Sequence, residues 1–359
     1  MAAASALGAR RARVVGGWAV VVALVVFVLV LPRLGSANTL FFWETVATEA
    51  LFALSVNVLF GEVGVPSFGQ AAFFGGGAYA VGMAMEHHWP LLAAVVLAVA
   101  VGGVLALLAG LLLGRLGGLA FAMVTLAVAQ AMYELVLKVS TFGSYNGIAD
   151  VLPTKLGPFN LVLERDFWFF VVVTTGIGAG VLYWVHRSPF GHALRAIRQD
   201  PVRARFLGLN VTRYRLGAFV IAGAVAGLAG ALYALVYTVV SPQSLYWTTS
   251  AQPIIMTLVG GMGVFAGPVL GAALLTWLSR SVGQSTVYYD LYLGLILLFV
   301  LLVMPEGILG LGRPGALPGR LADLVRRRRP RPGPDARRSP PAASAREPAA
   351  AAPLDRGGS

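Results

Sequence analysis

The chain has 359 residues, 58% of them hydrophobic and only 12% charged, about half the charged share of a soluble domain, which excludes a water-soluble globular fold of this size. Its net charge of +12 does not mark a nucleic-acid binder, because the arginines fall between or beyond the apolar runs, where they set membrane topology. The absence of cysteine excludes disulfides, thiolate metal sites and a cysteine nucleophile. The histidine pair His87–His88 reads as solvated at a membrane boundary rather than as a metal site.

Runs such as Val14–Leu31, Leu91–Leu113 and Phe167–Val185 are long enough, or nearly so, to cross a hydrocarbon core of about 30 Å as helices. None alternates as a membrane β-strand would. The fold expected is an all-α polytopic membrane protein of eight to ten transmembrane helices. In chain order the crossings fall at about 14–32, 41–60, 69–85, 91–113, 117–138, 167–186, 215–240, 250–260, 264–280 and 288–304. Arg10, Arg11 and Arg13 precede the first run as in a signal peptide. That run continues to Leu31 and ends at Leu31-Pro32-Arg33 with no small-residue cleavage pattern, so an uncleaved helix starting in the cytoplasm is expected.

Charge tests this count. With the N-terminus inside, 187–215 falls in the cytoplasm with seven arginines and one acid, and the tail from Arg313 follows with eleven arginines and four acids. The segment 139–166 falls outside, with Lys155 and Arg165 against Asp150, Glu164 and Asp166. Both large basic segments obey the positive-inside rule, but only if 250–282 is divided at Gly260-Gly261-Met262-Gly263. Three parts result: a basic segment with the first helix (1–39), a core (40–310), and a basic tail (311–359) rich in Pro, Ala, Arg and Gly that cannot bury a core. Arg326–Arg329 in that tail is a topology anchor or a contact for anionic lipid.

Two interruptions bear on mechanism. The segment 61–69, Gly-Glu-Val-Gly-Val-Pro-Ser-Phe-Gly, separates the second and third crossings, and 260–263 separates the eighth and ninth. Lipid cannot satisfy the backbone groups that a broken helix exposes, so such breaks line water or substrate unless they are plain turns outside the membrane. Polar residues near or within the spans mark a candidate path: Asn57, Ser67, Gln70, Thr125, Gln130, Asn146 and Gln252, since amide and hydroxyl groups at membrane depth face the bundle interior. Glu134 belongs to this path or pairs with Lys138 one turn on. Glu49 has no nameable partner. The glycines at 75–77, at 176, 178 and 180, and at 223, 227 and 230 are mostly packing positions, where small residues let helices approach.

The basic loop has its own pattern. Pro189 suits a helix start, Leu194, Ile197, Phe206 and Leu207 supply apolar anchors, and Arg195, Arg198, Arg203 and Arg205 a polar face. Such an amphipathic element lies on the membrane or docks in a partner's groove, and periodicity leaves both open.

The run Ser188–Asp200 followed by Leu207-Gly208-Leu209-Asn210-Val211-Thr212-Arg213-Tyr214 resembles the cytoplasmic loop of branched-chain amino acid ABC permeases of the LivM type. Gly69-Gln70-Ala71-Ala72-Phe73-Phe74-Gly75, Asn146-Gly147-Ile148, 218–234 and 260–272 resemble that family's other blocks, in order, over roughly 40–310. The resemblance implies one transmembrane subunit of an importer for branched-chain or other neutral amino acids in the bacterial inner membrane, with both termini cytoplasmic. It implies as partners a second, homologous permease, two ABC ATPase subunits and an extracytoplasmic solute-binding protein. It further implies that Pro189, Phe190, Gly191, Leu194, Arg195, Ile197, Arg198, Asp200, Leu207 and Gly208 couple this chain to an ATPase. The chain has no G-x-x-x-x-G-K-[ST] phosphate loop, so no cofactor or metal is expected on it, no enzymatic activity either, and ATP is used by the partners. Gln70 stands where members commonly have His, Val65-Pro66 where they have Gln-Leu, and Gln252 where they have an acid. Urea, short amides or simple sugars therefore stay open as solutes of the same class, and an ion-coupled secondary transporter using Glu49 and Glu134 stays open as a different one.

Overall fold

A computed structural model describes residues 28–33, 35–113, 118–154, 160–283, 294–295 and 307–309. Most of the expected first crossing, the last crossing at 288–304, and the basic tail with Arg326–Arg329 lie outside the described residues. Among the described residues the long regular elements are helices: α1 (Ala37–Asn57), α2 (Gln70–Glu86), α3 (Leu91–Leu113), α4 (Gly118–Lys138), α5 (Glu164–Arg187), α6 (Pro189–Gln199), α7 (Pro201–Phe206), α8 (Val211–Tyr237), α9 (Trp247–Gly260) and α10 (Gly267–Gly283). Five spans are long and apolar enough to cross a membrane: Ala37–Val63, Leu91–Leu112, Gly118–Lys138, Glu164–Arg187 and Val211–Tyr237. The protein is an all-α polytopic membrane protein. The division of 250–282 is present, as α9 and α10.

The centre is α2, α3 and α8, packed by glycine rather than by interdigitating large side chains. A Cβ on Gly230 of α8 would run into the carbonyl oxygen of Phe74 on α2, so the two backbones touch. In lipid, where apolar side chains gain nothing by leaving a hydrocarbon solvent, close backbone approach drives helix association. Aromatic rings fill what remains: Phe52 of α1 stacks on Phe74 with centroids 4.3 Å apart, and Phe73 meets Phe219 of α8 edge-on. The 176–180 glycines divide. Gly178 packs against Leu51 and Leu228, whereas Gly176 and Gly180 face open space on the outer side of α5, beside exposed Val173, Ile177 and Trp184.

The helix after α1 does not stop at Gly61. It widens into a π-helical turn, Val58–Val63, and ends at Gly64 in the left-handed region (φ +79°). The break proper is therefore 64–69. A further irregular stretch was not apparent from the sequence. After Thr238 the chain runs extended: Val240 pairs with Ile148 (2.8 and 2.9 Å), and the short 3-10 turn Pro242–Leu245 follows. Gly82 of α2 lies against Val240, Gly75 against Leu245, and Ala71 donates to Ser250 of α9. The stretch thus descends antiparallel to α2 for about two helical turns, or roughly 10 Å. Only then does α9 begin. The expected eighth crossing at 250–260 lies wholly within α9, and the non-helical stretch ahead of it, packed on α2, is of the kind tolerated where protein shields the backbone.

Candidate functional site

The chemistry gathers where both expected interruptions meet α6. At the first, the break frees backbone N–H groups at the start of α2, and hydroxyls take them up. Phe68 donates to Thr125 Oγ1 of α4 (3.2 Å), Gly69 to Ser67 Oγ (3.3 Å) and Ala71 to Ser250 Oγ (2.7 Å). Thr257 of α9 donates to the Pro253 carbonyl and, at 3.3 Å, to that of Ala53 in α1. Ser67, Gln70, Thr125, Ser250 and Thr257 are all buried to within 1%. Beside these bonds, both side-chain amide atoms of Gln70, and Asn57 Oδ1, are buried without a hydrogen-bond partner.

The loop after α5 is built by three caps. Ser188 Oγ accepts from Gly191 N–H ahead of Pro189 at the first position of α6. Asp200 Oδ1 accepts from Val202 and Arg203 N–H (2.9 and 3.0 Å), and Asn210 Oδ1 from Arg213 N–H at the start of α8. Such caps satisfy the orphan donors of a helix start. The Arg203 backbone N–H, helped by that of Val202 and by the Arg203 charge, holds the exposed Asp200 carboxyl below its ordinary value.

One face of α6 belongs to the bundle. Leu194 and Ile197 are fully buried, and Phe190 stacks on Tyr214 of α8 at 5.4 Å. Arg198 hydrogen-bonds the Gly61 carbonyl, its stem lying over Gly64, where any Cβ would meet Arg198 Cγ at 2.7 Å. Arg195 donates to the His186 carbonyl (3.0 Å) and stands 3.7 Å from Glu62, whose other oxygen lies 2.6 Å from His186 Nδ1. Pro189 is exposed at the start of the helix and Gly208 at the end of the loop. Phe206 and Leu207 stand 88% and 80% exposed, beside exposed Arg203 and Arg205.

The seven path candidates thus separate. Asn57, Ser67, Gln70 and Thr125 lie inside the bundle near the break. Gln130 is half-buried and donates to the exposed Glu134 at 3.3 Å, which is the contact Glu134 makes in place of one with Lys138. Gln252 is exposed on α9, so both amides look outward from this chain. Asn146 is exposed in the 139–166 segment, next to the Ile148–Val240 bridge, at the far end of α2 from Gln70. Glu49 is half-buried on α1. Sequence reasoning passed over Glu44, a 5% exposed carboxylate lining a cavity of about 430 Å³ with Glu164. It also gave no role to Glu62 and His186, whose pairing over 124 positions has no local signature.

Residues 38–304 match the family described as branched-chain amino acid transport system / permease component. The high-affinity branched-chain amino acid transport system permease protein LivM of Escherichia coli (strain K12) is 30% identical over 321 residues, covering 82% of this chain and 75% of that protein. LivH of the same strain is 34% identical over 129 residues, 35% of this chain and 42% of that protein. A probable branched-chain amino acid transport permease protein LivH of Methanocaldococcus jannaschii is 26% identical over 72% of this chain and 88% of its own. No solved structure matches. This chain belongs to the family of branched-chain amino acid transport system permease components.

Proposed function

We propose that this chain is one of two permease subunits of an ATP-driven importer that carries branched-chain or other neutral amino acids across the bacterial inner membrane into the cell. Its partners are a second, homologous permease, two ATPase subunits that bind and hydrolyse ATP, and an extracytoplasmic binding protein that delivers the solute. The chain itself does no catalysis. Both termini and the α6–α7 loop face the cytoplasm, in keeping with the arginines of 187–215 and the positive-inside rule.

The observation that carries this reading is the loop, built with one face committed to the bundle and the other left bare. Exposed Phe206 and Leu207, ringed by Arg203 and Arg205, form an apolar knob with a basic rim, which suits a partner's groove. Leu194, Ile197 and Phe190 seat the loop on its own bundle, so a push on the knob is delivered to α5, α8 and the π-turn. Asn57, Ser67, Gln70 and Thr125 then form the inner polar seam at the moving break, while Gln130 and Gln252 look toward a path completed by the second permease. Amide groups on the outer faces of helices are costly against lipid, which favours a protein neighbour there.

Co-purification from the native membrane, followed by reconstitution, tests the reading. Recovery of a phosphate-loop ATPase and a second permease, with ATP-dependent uptake of leucine or valine into vesicles, is the expected result. Solute flux by the chain alone, abolished by neutralising Glu49 or Glu134, would replace it with an ion-coupled secondary transporter.

A further inference from the structure

Glu62 has no part in the path or the docking knob, yet it stands where the broken helix and the loop meet. Its side chain is 4% exposed. Oε1 lies 2.6 Å from His186 Nδ1, which itself stands 3.3 Å from Arg195 Nη1, while Oε2 lies 3.7 Å from Arg195 and has no hydrogen bond. Burying a carboxylate is costly unless it is paired and its remaining lone pairs are satisfied, and the large majority of buried side-chain polar atoms have at least one hydrogen-bond partner. Glu62 is half-satisfied. It also sits on a π-helical turn, a rare geometry that recurs at functional sites. A half-bonded carboxylate on a weak turn is a poor staple for one fixed geometry and a good pivot between two.

The surroundings leave room for the second geometry. A cavity of about 340 Å³ lies among Asn57, Glu62, His186, Arg195 and Arg198, and Gly263, from the turn between α9 and α10, also lines it. Both interruptions therefore border one space with α6. Arg198, bonded to the Gly61 carbonyl, ties the same helix to the same turn one helical turn's reach from Arg195, so α6 cannot move without working on 58–64.

We infer that Glu62 is a positioning residue which, through His186 and Arg195, latches α6 to the π-turn and converts displacement of α6 into rearrangement of the 58–69 break. The consequence for transport rests on the importer reading; the latch itself does not. A membrane-edge ion pair with no such role would contribute stability everywhere alike, whereas a latch acts on one segment.

Hydrogen exchange on the full-length chain in lipid nanodiscs tests the latch with no partner present. Glu62→Gln and Arg195→Ala are each expected to speed exchange at 58–69 about tenfold and to leave α8 unchanged. No change at 58–69, or an equal rise along α8, overturns the inference. In the assembled transporter, Glu62→Gln is expected to lower ATP-driven uptake about tenfold while hydrolysis stays within about twofold. The Glu62→Gln/Arg195→Ala pair should then be no slower than the slower single variant, as for two ends of one link. Uptake falling in proportion to hydrolysis, or effects that multiply, would overturn it. Selective exchange at 58–69 in an assembly whose unsubstituted form shows no ATP-driven uptake supports the latch and removes the importer reading alone.

Discussion

The centre of the bundle and its α6 end solve opposite problems. At the centre, α2, α3 and α8 touch backbone to backbone through Gly77, Gly102, Gly227 and Gly230, with no polar side chain among these contacts and one packing that fits. At the α6 end the contacts are polar and incomplete: a carboxylate with one oxygen in an ion pair but no hydrogen bond, an arginine on a π-turn carbonyl, and an amide oxygen without a hydrogen bond, set around a cavity. The first kind of contact resists displacement because any sliding brings Cβ atoms into backbone. The second can exchange partners. A permease needs both, a frame that does not yield and an end that does.

The sharpest test of that contrast lies in the glycines. Gly230→Leu drives a side chain into the Phe74 carbonyl and is expected to abolish folded protein, seen as loss of a monodisperse peak after detergent extraction. Gly180→Leu, which meets nothing within 4 Å, is expected to leave that peak in place. Equal losses would mean that packing is not concentrated at the centre. Ser250→Ala probes the boundary between the regions. It strips the acceptor from the buried Ala71 N–H and is expected to cost about 1–3 kcal/mol, the desolvation penalty of an orphaned donor, read as a lowered midpoint of thermal unfolding in detergent.

These tests separate what the sequence expresses locally from what it does not. The spans were legible because twenty-residue apolar runs have few other uses: 91–113 is matched by Leu91–Leu113, and the division at 260–263 by α9 and α10. The start of α6 at Pro189 was legible too, whereas the side-chain caps of Ser188 and Asp200 emerged only from the structure. The stretch after Thr238 was not legible: Val239 and Val240 are apolar enough to read as the end of the crossing at 215–240, and what places Val240 is its bridge to Ile148 and its contact with Gly82 of α2. Nor was the Glu62–His186 pair, because periodicity carries no information about partners on different helices. The loop shows the same limit. The sequence pattern offered one apolar and one arginine face, but the structure divides each. Leu194 and Ile197 are buried while Phe206 and Leu207 are exposed, and Arg195 and Arg198 reach His186 and the π-turn while Arg203 and Arg205 do not, a division set by where α5, α8 and the π-turn lie.

The smallest expected effect comes from the loop's own hinge. Asp200 ends α6 and starts α7, and its carboxylate takes the Val202 and Arg203 N–H groups while meeting Arg203 Nε at 2.9 Å. Those bonds favour the ionised form, so its folded value lies below the ordinary 3.8. A depressed carboxylate contributes its full stabilisation above the unfolded value and loses it as the pH falls through the folded one. Protection of the Val202 and Arg203 amides is therefore expected to be flat from neutrality down to the ordinary aspartate range and to decline only below it. Asp200→Ala should remove the protection at every pH, whereas Asp200→Asn, which still caps, should keep most of it and lose the acid decline. Since the group is exposed, global stability should scarcely respond, and a large fall in the unfolding midpoint of Asp200→Ala would mean that the hinge is part of the rigid frame rather than of the end that moves.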